Sequence, residues 1–83
     1  MSKDAVLKVL KQKVLEILPE LPTETITFDK SLKELGANSI DRMDIIVKTM
    51  EALEIKLPMV ETAKATNIGD LVELFSKCKE RFD

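Results

Sequence analysis

Three prolines divide this chain into stretches that must fold as separate elements. They stand at positions 19, 22 and 58. A proline disfavours helical geometry in the residue before it and cannot donate a helical hydrogen bond. Between these breaks hydrophobic residues recur at helical spacing, and no stretch shows the strict alternation of a half-buried strand. The pattern predicts an all-α fold, a small four-helix bundle with a long loop between helices 1 and 2 and a short helix 3.

The first helix is expected over residues 3–18, with Ser2 or Asp4 as its N-cap and Pro19 as its end. The loop that follows, over residues 19–38, is long for a compact domain and needs anchors to be ordered. Apolar residues in it are spaced so that they can reach back into a core. The expected anchors are Leu21, Ile26, Phe28, Leu32 and Leu35.

The later helices have recognisable boundaries. A single helical turn is expected over residues 31–35, closed by Gly36 in a left-handed conformation. Asn38 should cap a helix over residues 39–54, with Asp41 completing a capping box. The expected third helix is Val60 to Ala65, and Thr66 or Asn67 should cap a fourth whose apolar stripe is Ile68, Leu71, Val72, Phe75, Cys78 and Phe82.

The composition excludes several classes of function. The chain of 83 residues has no histidine and one cysteine, so Ser–His and Cys–His nucleophile pairs and an internal disulfide are excluded, and the commonest metal ligand is missing. A net charge of −2 with interspersed signs provides no basic field for nucleic acid or an anionic membrane. We therefore expect a cytoplasmic, monomeric single domain over residues 1–83, with no catalytic residues, no metal, and a buried structural thiol at Cys78.

The second helix is too hydrophobic for a helix that only packs against a core. With about 100° per residue its apolar residues span roughly 220°, whereas a core-facing stripe needs little more than about 100°. Ile40 and Val47 are the excess, and they share an edge with Asp44 and Glu51. An apolar pair rimmed by carboxylates indicates a docking surface. The alternative is that a small bundle encloses this helix on most sides.

Ser39 stands in the first turn of this helix, directly after the expected cap. A hydroxyl there is exposed, and the free backbone N–H groups of a helix start favour an attached phosphate. An Asn-Ser pair at a helix start is equally explained by capping alone. Ser39 has no neighbouring base in the sequence, so any chemistry on its oxygen has to be performed by another enzyme.

Four segments carry a resemblance to a known family. Leu35-Gly-Ala-Asn-Ser-Ile-Asp resembles the modification motif Leu-Gly-x-Asp-Ser-Leu-x of acyl carrier proteins. Phe28-Asp-Lys-Ser-Leu is similar to the segment before that motif, Met50-Glu-Ala-Leu-Glu-Ile-Lys-Leu-Pro to the end of the family's second helix, and Ala65-Thr-Asn-Ile-Gly-Asp-Leu-Val to the entry of its last helix. The four segments occur in the family's order and spacing over roughly residues 5–80.

The resemblance implies a carrier, not a catalyst. Ser39 would be the attachment site of 4'-phosphopantetheine, joined from coenzyme A by a phosphopantetheinyl transferase that uses magnesium, and the terminal thiol would hold an acyl group as a thioester. Met59 and Val60 are expected to line the way to a pocket between helices 2 and 3. The family positions that meet partners fall on the apolar residues Ile40, Met43 and Val47 and on the acidic residues Asp41, Asp44 and Glu51.

Gly36-Ala-Asn-Ser-Ile-Asp-Arg is similar to a narrower group, the freestanding donor carriers of bacterial polyketide β-branching cassettes. The resemblance implies malonyl loading, decarboxylation by an acyltransferase/decarboxylase, and delivery of acetyl to a partner, either an HMG-CoA-synthase-like enzyme or a ketosynthase. Asn38 replaces the family's aspartate and Ile40 its leucine. Arg42 and Lys48 interrupt the acidic face, which disfavours the fatty-acid carrier. A carrier of aminoacyl or D-alanyl groups and an unmodified helical interaction domain remain as alternatives.

Overall fold

Four helices form the fold, and the third is a single turn. The computed structural model describes residues 2–82, and side chains over residues 2–81. Within residues 2–82 there is no strand, and no helix is long and apolar enough to cross a bilayer. The all-α prediction, with its long first loop and short third helix, is confirmed. The helices are α1 (Lys3–Ile17), α2 (Ser39–Leu53), α3 (Met59–Thr62) and α4 (Ile68–Phe82), and the first loop contains a 3₁₀ turn at Thr23–Thr25.

The core lies where α1 packs against α2 and α4. Each of these helices contributes a stripe of aliphatic side chains, and Phe75 of α4 is the largest side chain that is fully buried. Cys78 is buried as predicted, and its thiol donates to the carbonyl of Lys56 at 3.6 Å. The predicted stripe member Phe82 lies outside the described side chains. Among the described side chains, the fully buried apolar residues are Val6, Leu10, Val14, Ile26, Ile45, Leu53, Ile68, Val72 and Phe75.

The long first loop is ordered because it is hydrogen-bonded to the start of α4. The backbone N–H of Ile68 donates to the carbonyl of Lys30 and that of Gly69 to the carbonyl of Phe28, both at 2.8 Å. Ile26 and Leu32 are buried anchors, and Leu21 and Leu35 are half-buried. Phe28 was expected to be an anchor too, but its side chain is 43% exposed. That prediction is wrong because the residue contributes its backbone carbonyl, and not its ring, to the packing.

The two glycines of the chain occupy their positions for different structural reasons. Gly36 has φ +102°, which L side chains rarely adopt, and it closes the predicted turn, in which Leu35 N–H donates to Ser31 O at 3.2 Å. Gly69 is required by space instead, since a Cβ there would lie 3.1 Å from the carbonyl oxygen of Phe28. The second glycine therefore allows the loop to approach α4 closely.

Two predicted boundaries need correction. Ser2, and not Asp4, caps α1, because Ser2 Oγ accepts from Ala5 N–H at 3.1 Å. The third helix spans Met59–Thr62 instead of Val60 to Ala65. Pro58 is the extended N-cap of this turn, and its missing N–H interrupts no helical hydrogen bond there, so the helix can begin at the next residue, Met59.

Candidate functional site

At the start of α2 the capping hydrogen bonds are formed within the chain, whereas the first helical residue is exposed. Asn38 Oδ1 accepts from Asp41 N–H at 2.8 Å, and Asp41 Oδ2 accepts from Asn38 N–H at 3.4 Å, which is the predicted capping box. Ser39 is the first helical residue and is exposed. In the described part of the chain the N–H groups of Ser39 and Ile40 have no protein acceptor. Two backbone donors therefore face solvent beside the serine hydroxyl.

Arg42 is the side chain that contacts Ser39. Its Nη2 donates to Ser39 Oγ at 3.1 Å, across one turn of the helix. This contact is not among the expectations from the sequence, in which Arg42 only interrupts the acidic face. The available signal was spacing, because residues three apart on a helix are neighbours.

Ser39 Oγ has no base to activate it. The described side chain bonded to this oxygen is the guanidinium of Arg42, which has only N–H donors and no acceptor that could take the hydroxyl proton. The carboxylate of Asp41 is bonded to the Asn38 backbone instead. Among residues 2–81 no cluster of three or more histidine, cysteine or acidic side chains could hold a metal ion. This arrangement suits a hydroxyl that another enzyme modifies.

Beside Ser39 an apolar surface is left uncovered on α2. Ile40 is 73% exposed, Met43 55% and Val47 39%. The opposite side of the helix is buried through Ile45 and Leu53. The bundle therefore does not enclose α2 on this side, and the alternative explanation of its hydrophobicity is wrong.

Three carboxylates border this apolar surface. Asp44 and Glu51 are exposed, and Asp41 is half-buried. Over residues 2–81 none of the three has a lysine or arginine nitrogen within 4.0 Å. Their charges are therefore not neutralised within the chain. We call Ile40, Asp41, Met43, Asp44, Val47 and Glu51 together the docking face.

A cavity of about 630 Å³ lies between α2, α3 and the end of the first loop. Ser39 and Arg42 stand at its α2 side together with Met43, and Met59 of α3 faces them. Val60, the other residue expected near this pocket, does not line it and is 62% exposed. That part of the expectation is wrong, because within the single turn of α3 it is Met59 and Thr62 that line the cavity.

The site fits a phosphate-linked prosthetic group. The hydroxyl is exposed, two free backbone N–H groups adjoin it, and a guanidinium already contacts the oxygen. Each of these donors is of the kind that binds phosphate oxygens. The residues that would hold the group are Ser39, Ile40 and Arg42.

Comparison with known proteins agrees with this arrangement. The family model described as phosphopantetheine attachment site matches residues 8–75. The polyketide biosynthesis acyl-carrier-protein AcpK of Bacillus subtilis is 39% identical over 74 residues, which covers 89% of this chain and 90% of AcpK. The acyl carrier protein of Wolinella succinogenes is 31% identical over 68 residues, which covers 82% of this chain and 90% of that protein.

A solved structure is also similar. It is a crystal structure of the HMG synthase of the curacin biosynthetic pathway in complex with an acetyl-donor acyl carrier protein. The match has a TM-score of 0.84 and 44% identity, and it covers 93% of this chain and 99% of that chain. The matched chain is thus about as long as this one, as the carrier of the complex should be.

Three observations agree. The serine is exposed at an open helix start, the family model matches most of the chain, and the relatives are of comparable length. This chain belongs to the phosphopantetheine-attachment family and is an acyl carrier protein, which carries its acyl group on a covalent 4'-phosphopantetheine and is not itself a catalyst.

Proposed function

We propose that Ser39 is the attachment residue, and that the loaded carrier donates an acetyl group to an HMG-CoA-synthase-like enzyme during β-branching in polyketide biosynthesis. The observation that carries the proposal is the position of Ser39 Oγ, which is exposed at the open tip of α2 with no activating base. The likeness to AcpK, named for polyketide biosynthesis, and to the donor carrier of a curacin HMG synthase supports the pathway class.

Attachment is a phosphoryl transfer in which Ser39 is the nucleophile. Its oxygen attacks the β-phosphorus of coenzyme A, and a new O–P bond forms as the pyrophosphate bond breaks. Adenosine 3',5'-bisphosphate leaves, and the hydroxyl proton goes to a base. The chain offers no base at Ser39, so the phosphopantetheinyl transferase has to supply it, with magnesium to balance the phosphate charge.

When bound, the group supplies a thiol on a flexible arm, to which the acyl group is joined as a thioester. Tethering keeps the acyl group at high effective concentration at whichever enzyme is docked. An acyltransferase/decarboxylase would load malonyl and release carbon dioxide, with a proton taking the place of the lost carboxylate. The acetyl group is then delivered to the next partner.

The docking face is the surface by which this chain would meet its partners. Its apolar centre is formed by Ile40, Met43 and Val47, which are all more than one third exposed. Its carboxylates have no counter-charge within residues 2–81, and this favours a basic partner patch. A small face gives weak binding, which a carrier needs because it must leave one partner to visit the next.

Intact-mass spectrometry after incubation with coenzyme A, magnesium and a phosphopantetheinyl transferase tests the attachment site. The wild type should gain the mass of one phosphopantetheine, and Ser39→Ala should gain nothing. Ser2→Ala is the matched control, because Ser2 also stands at a helix start, and it should be modified like the wild type. A gain in Ser39→Ala, or none in the wild type, contradicts the proposal.

Acetyl transfer from the loaded carrier to an HMG-CoA-synthase-like enzyme tests the docking face. Val47→Glu should leave folding and modification intact and slow transfer at limiting carrier concentration roughly 10-fold, the effect of a loss of about 1.4 kcal/mol of docking energy. Ala52→Glu places the same charge on an exposed position of α2 about 140° away, and should transfer normally. Equal transfer by both variants rejects the face.

The group loaded onto the arm, and the enzyme that loads it, distinguish a β-branching donor from the other kinds of carrier. Malonyl loading followed by acetyl delivery supports a β-branching donor. Loading by an amino-acid-activating ligase instead would indicate a carrier of aminoacyl or D-alanyl groups. Elongation of the bound chain by a ketosynthase of fatty-acid synthesis would indicate a fatty-acid carrier.

A further inference from the structure

Arg42 has more hydrogen-bonding capacity than its surroundings use. Its side chain is half-buried, and its Nη2 donates to Ser39 Oγ. Within residues 2–81 it forms no ion pair with a carboxylate. A guanidinium has five N–H donors in a planar fork that matches phosphate oxygens. The charge and most of these donors are therefore unpaired beside the oxygen that we propose is modified.

We propose that Arg42 is the positioning residue for the phosphodiester formed on Ser39. This inference rests on the proposed attachment at Ser39. The phosphorus would be bonded directly to the oxygen that Arg42 Nη2 already contacts at 3.1 Å. The phosphate oxygens then come within reach of the fork without movement of the helix, and bonds from the guanidinium to anionic oxygens replace one bond to a neutral hydroxyl.

The position of Arg42 on α2 sets the side on which the phosphodiester is held. With about 100° per residue, Arg42 lies about 60° to one side of Ser39, and Ile40 lies about 100° to the other. Arg42 lines the cavity between α2 and α3, whereas Ile40 does not. Arg42 therefore holds the first atoms of the arm on the cavity side and leaves Ile40 and Val47 of the docking face, which do not line the cavity, uncovered for a partner.

The test compares the apo and modified forms of the wild type with those of Arg42→Gln and Arg42→Lys. Lys48→Gln is the matched control, since it removes one positive charge from an exposed position of the same helix that does not contact Ser39. Two readouts do not depend on acyl transfer: the ³¹P resonance of the phosphodiester, and the shift of the Arg42 Nε–Hε resonance on modification.

In the wild type we expect the Nε–Hε resonance to shift on modification and the ³¹P line to be broad and salt-sensitive. Arg42→Gln should give the narrow, salt-insensitive ³¹P line of a mobile phosphodiester. Arg42→Lys should be intermediate, because an ammonium offers charge without the planar fork. Lys48→Gln should match the wild type. If Arg42→Gln is modified poorly, the shift of the Arg42 Nε–Hε resonance in the wild type still tests the inference.

Several outcomes overturn the inference, and they can be told apart. If the wild type takes no phosphopantetheine, the proposed attachment fails, and this inference with it. If the wild type is modified but Nε–Hε does not shift and the ³¹P line is the same in Arg42→Gln, attachment stands and Arg42 does not hold the phosphate. If those spectra are unchanged while Arg42→Gln slows acetyl transfer, Arg42 belongs to the docking surface instead.

Discussion

Two of the three 15-residue helices, α2 and α4, begin with the same asparagine–aspartate cap but differ in what binds their first N–H groups. Asn-Ser-Ile-Asp opens α2 and Asn-Ile-Gly-Asp opens α4. In both, the asparagine Oδ1 accepts from the aspartate N–H at 2.8 Å. The difference lies in the two residues between, since α2 has an exposed serine and isoleucine where α4 has a buried isoleucine and a glycine.

These two residues decide whether the first N–H groups of the helix find hydrogen-bond acceptors within the chain. At α4 the carbonyls of Phe28 and Lys30 accept from the first two N–H groups. At α2 the equivalent two N–H groups have no acceptor in the described chain. The start of α4 is therefore bonded to the first loop, whereas the first N–H groups of α2 remain available to an attached group. Substitutions at the four inner positions test this contrast.

The first inner position should show the largest difference in stability. Ile68 is fully buried, so Ile68→Ser removes core contacts and buries a hydroxyl, and we expect a loss of about 2–5 kcal/mol in the free energy of unfolding. Ser39→Ile, at the exposed counterpart position, should change the free energy of unfolding by no more than about 0.5 kcal/mol, and it should abolish modification. Urea unfolding measures both, and equal losses would contradict the contrast.

The second inner position should show a smaller difference. Gly69→Ile forces a branched side chain against the Phe28 carbonyl, which a Cβ would approach to 3.1 Å, and should cost about 1–3 kcal/mol. Ile40→Gly loses little packing because Ile40 is 73% exposed, and should cost about 0.5–1 kcal/mol through backbone entropy. Its main effect should be slower acetyl transfer. A Gly69→Ile protein as stable as the wild type would show that the loop does not need this approach.

Asp70 should give the smallest effect, which is seen as a change of stability with pH under acidic conditions. The backbone N–H of Thr66 at 3.0 Å and its hydroxyl at 2.7 Å hold the pKa of this carboxyl below its ordinary value. A lowered folded-state pKa stabilises the fold above the unfolded-state pKa of about 3.9, and this contribution is lost as the pH falls through the folded value.

Urea midpoints measured from pH 6 down to about one pH unit below the unfolded-state pKa test this. We expect Asp70→Asn to lose less stability than the wild type over the acidic part of the range. Thr66→Val removes the hydroxyl donor and should fall between them. Parallel curves for the wild type and Asp70→Asn would show that these bonds do not favour the charged form.

The sequence predicted the local part of this contrast and not the distant part. Both caps follow from residues close in the chain, and so does the left-handed Gly36. The closing of α4 depends on residues about 40 apart, Phe28 and Gly69, and backbone carbonyls carry no sequence signal. For that reason Phe28 was taken for a side-chain anchor. The exposure of Ile40 and Val47 was predictable, because the apolar arc of α2 exceeds what a core can cover.

The contact between Ser39 and Arg42 could have been anticipated from their spacing, but not its significance. Any two residues three apart on a helix are neighbours, so the spacing alone assigns no function to the pair. The structure adds that Arg42 has no carboxylate partner in the described chain and that it lines a cavity. Those two facts are non-local and distinguish this arginine from an ordinary surface residue.

The buried cysteine gives the protein a practical chemical property. Cys78 is the single cysteine of the chain, it is 3% exposed, and its thiol is bonded to the Lys56 carbonyl. A buried thiol of this kind reacts slowly with alkylating reagents. The thiol of the attached arm is thus the one that such reagents reach in the folded protein. Brief maleimide labelling would count modified molecules, and a dye or cross-linker could be placed on the arm of the natural sequence without first removing a cysteine.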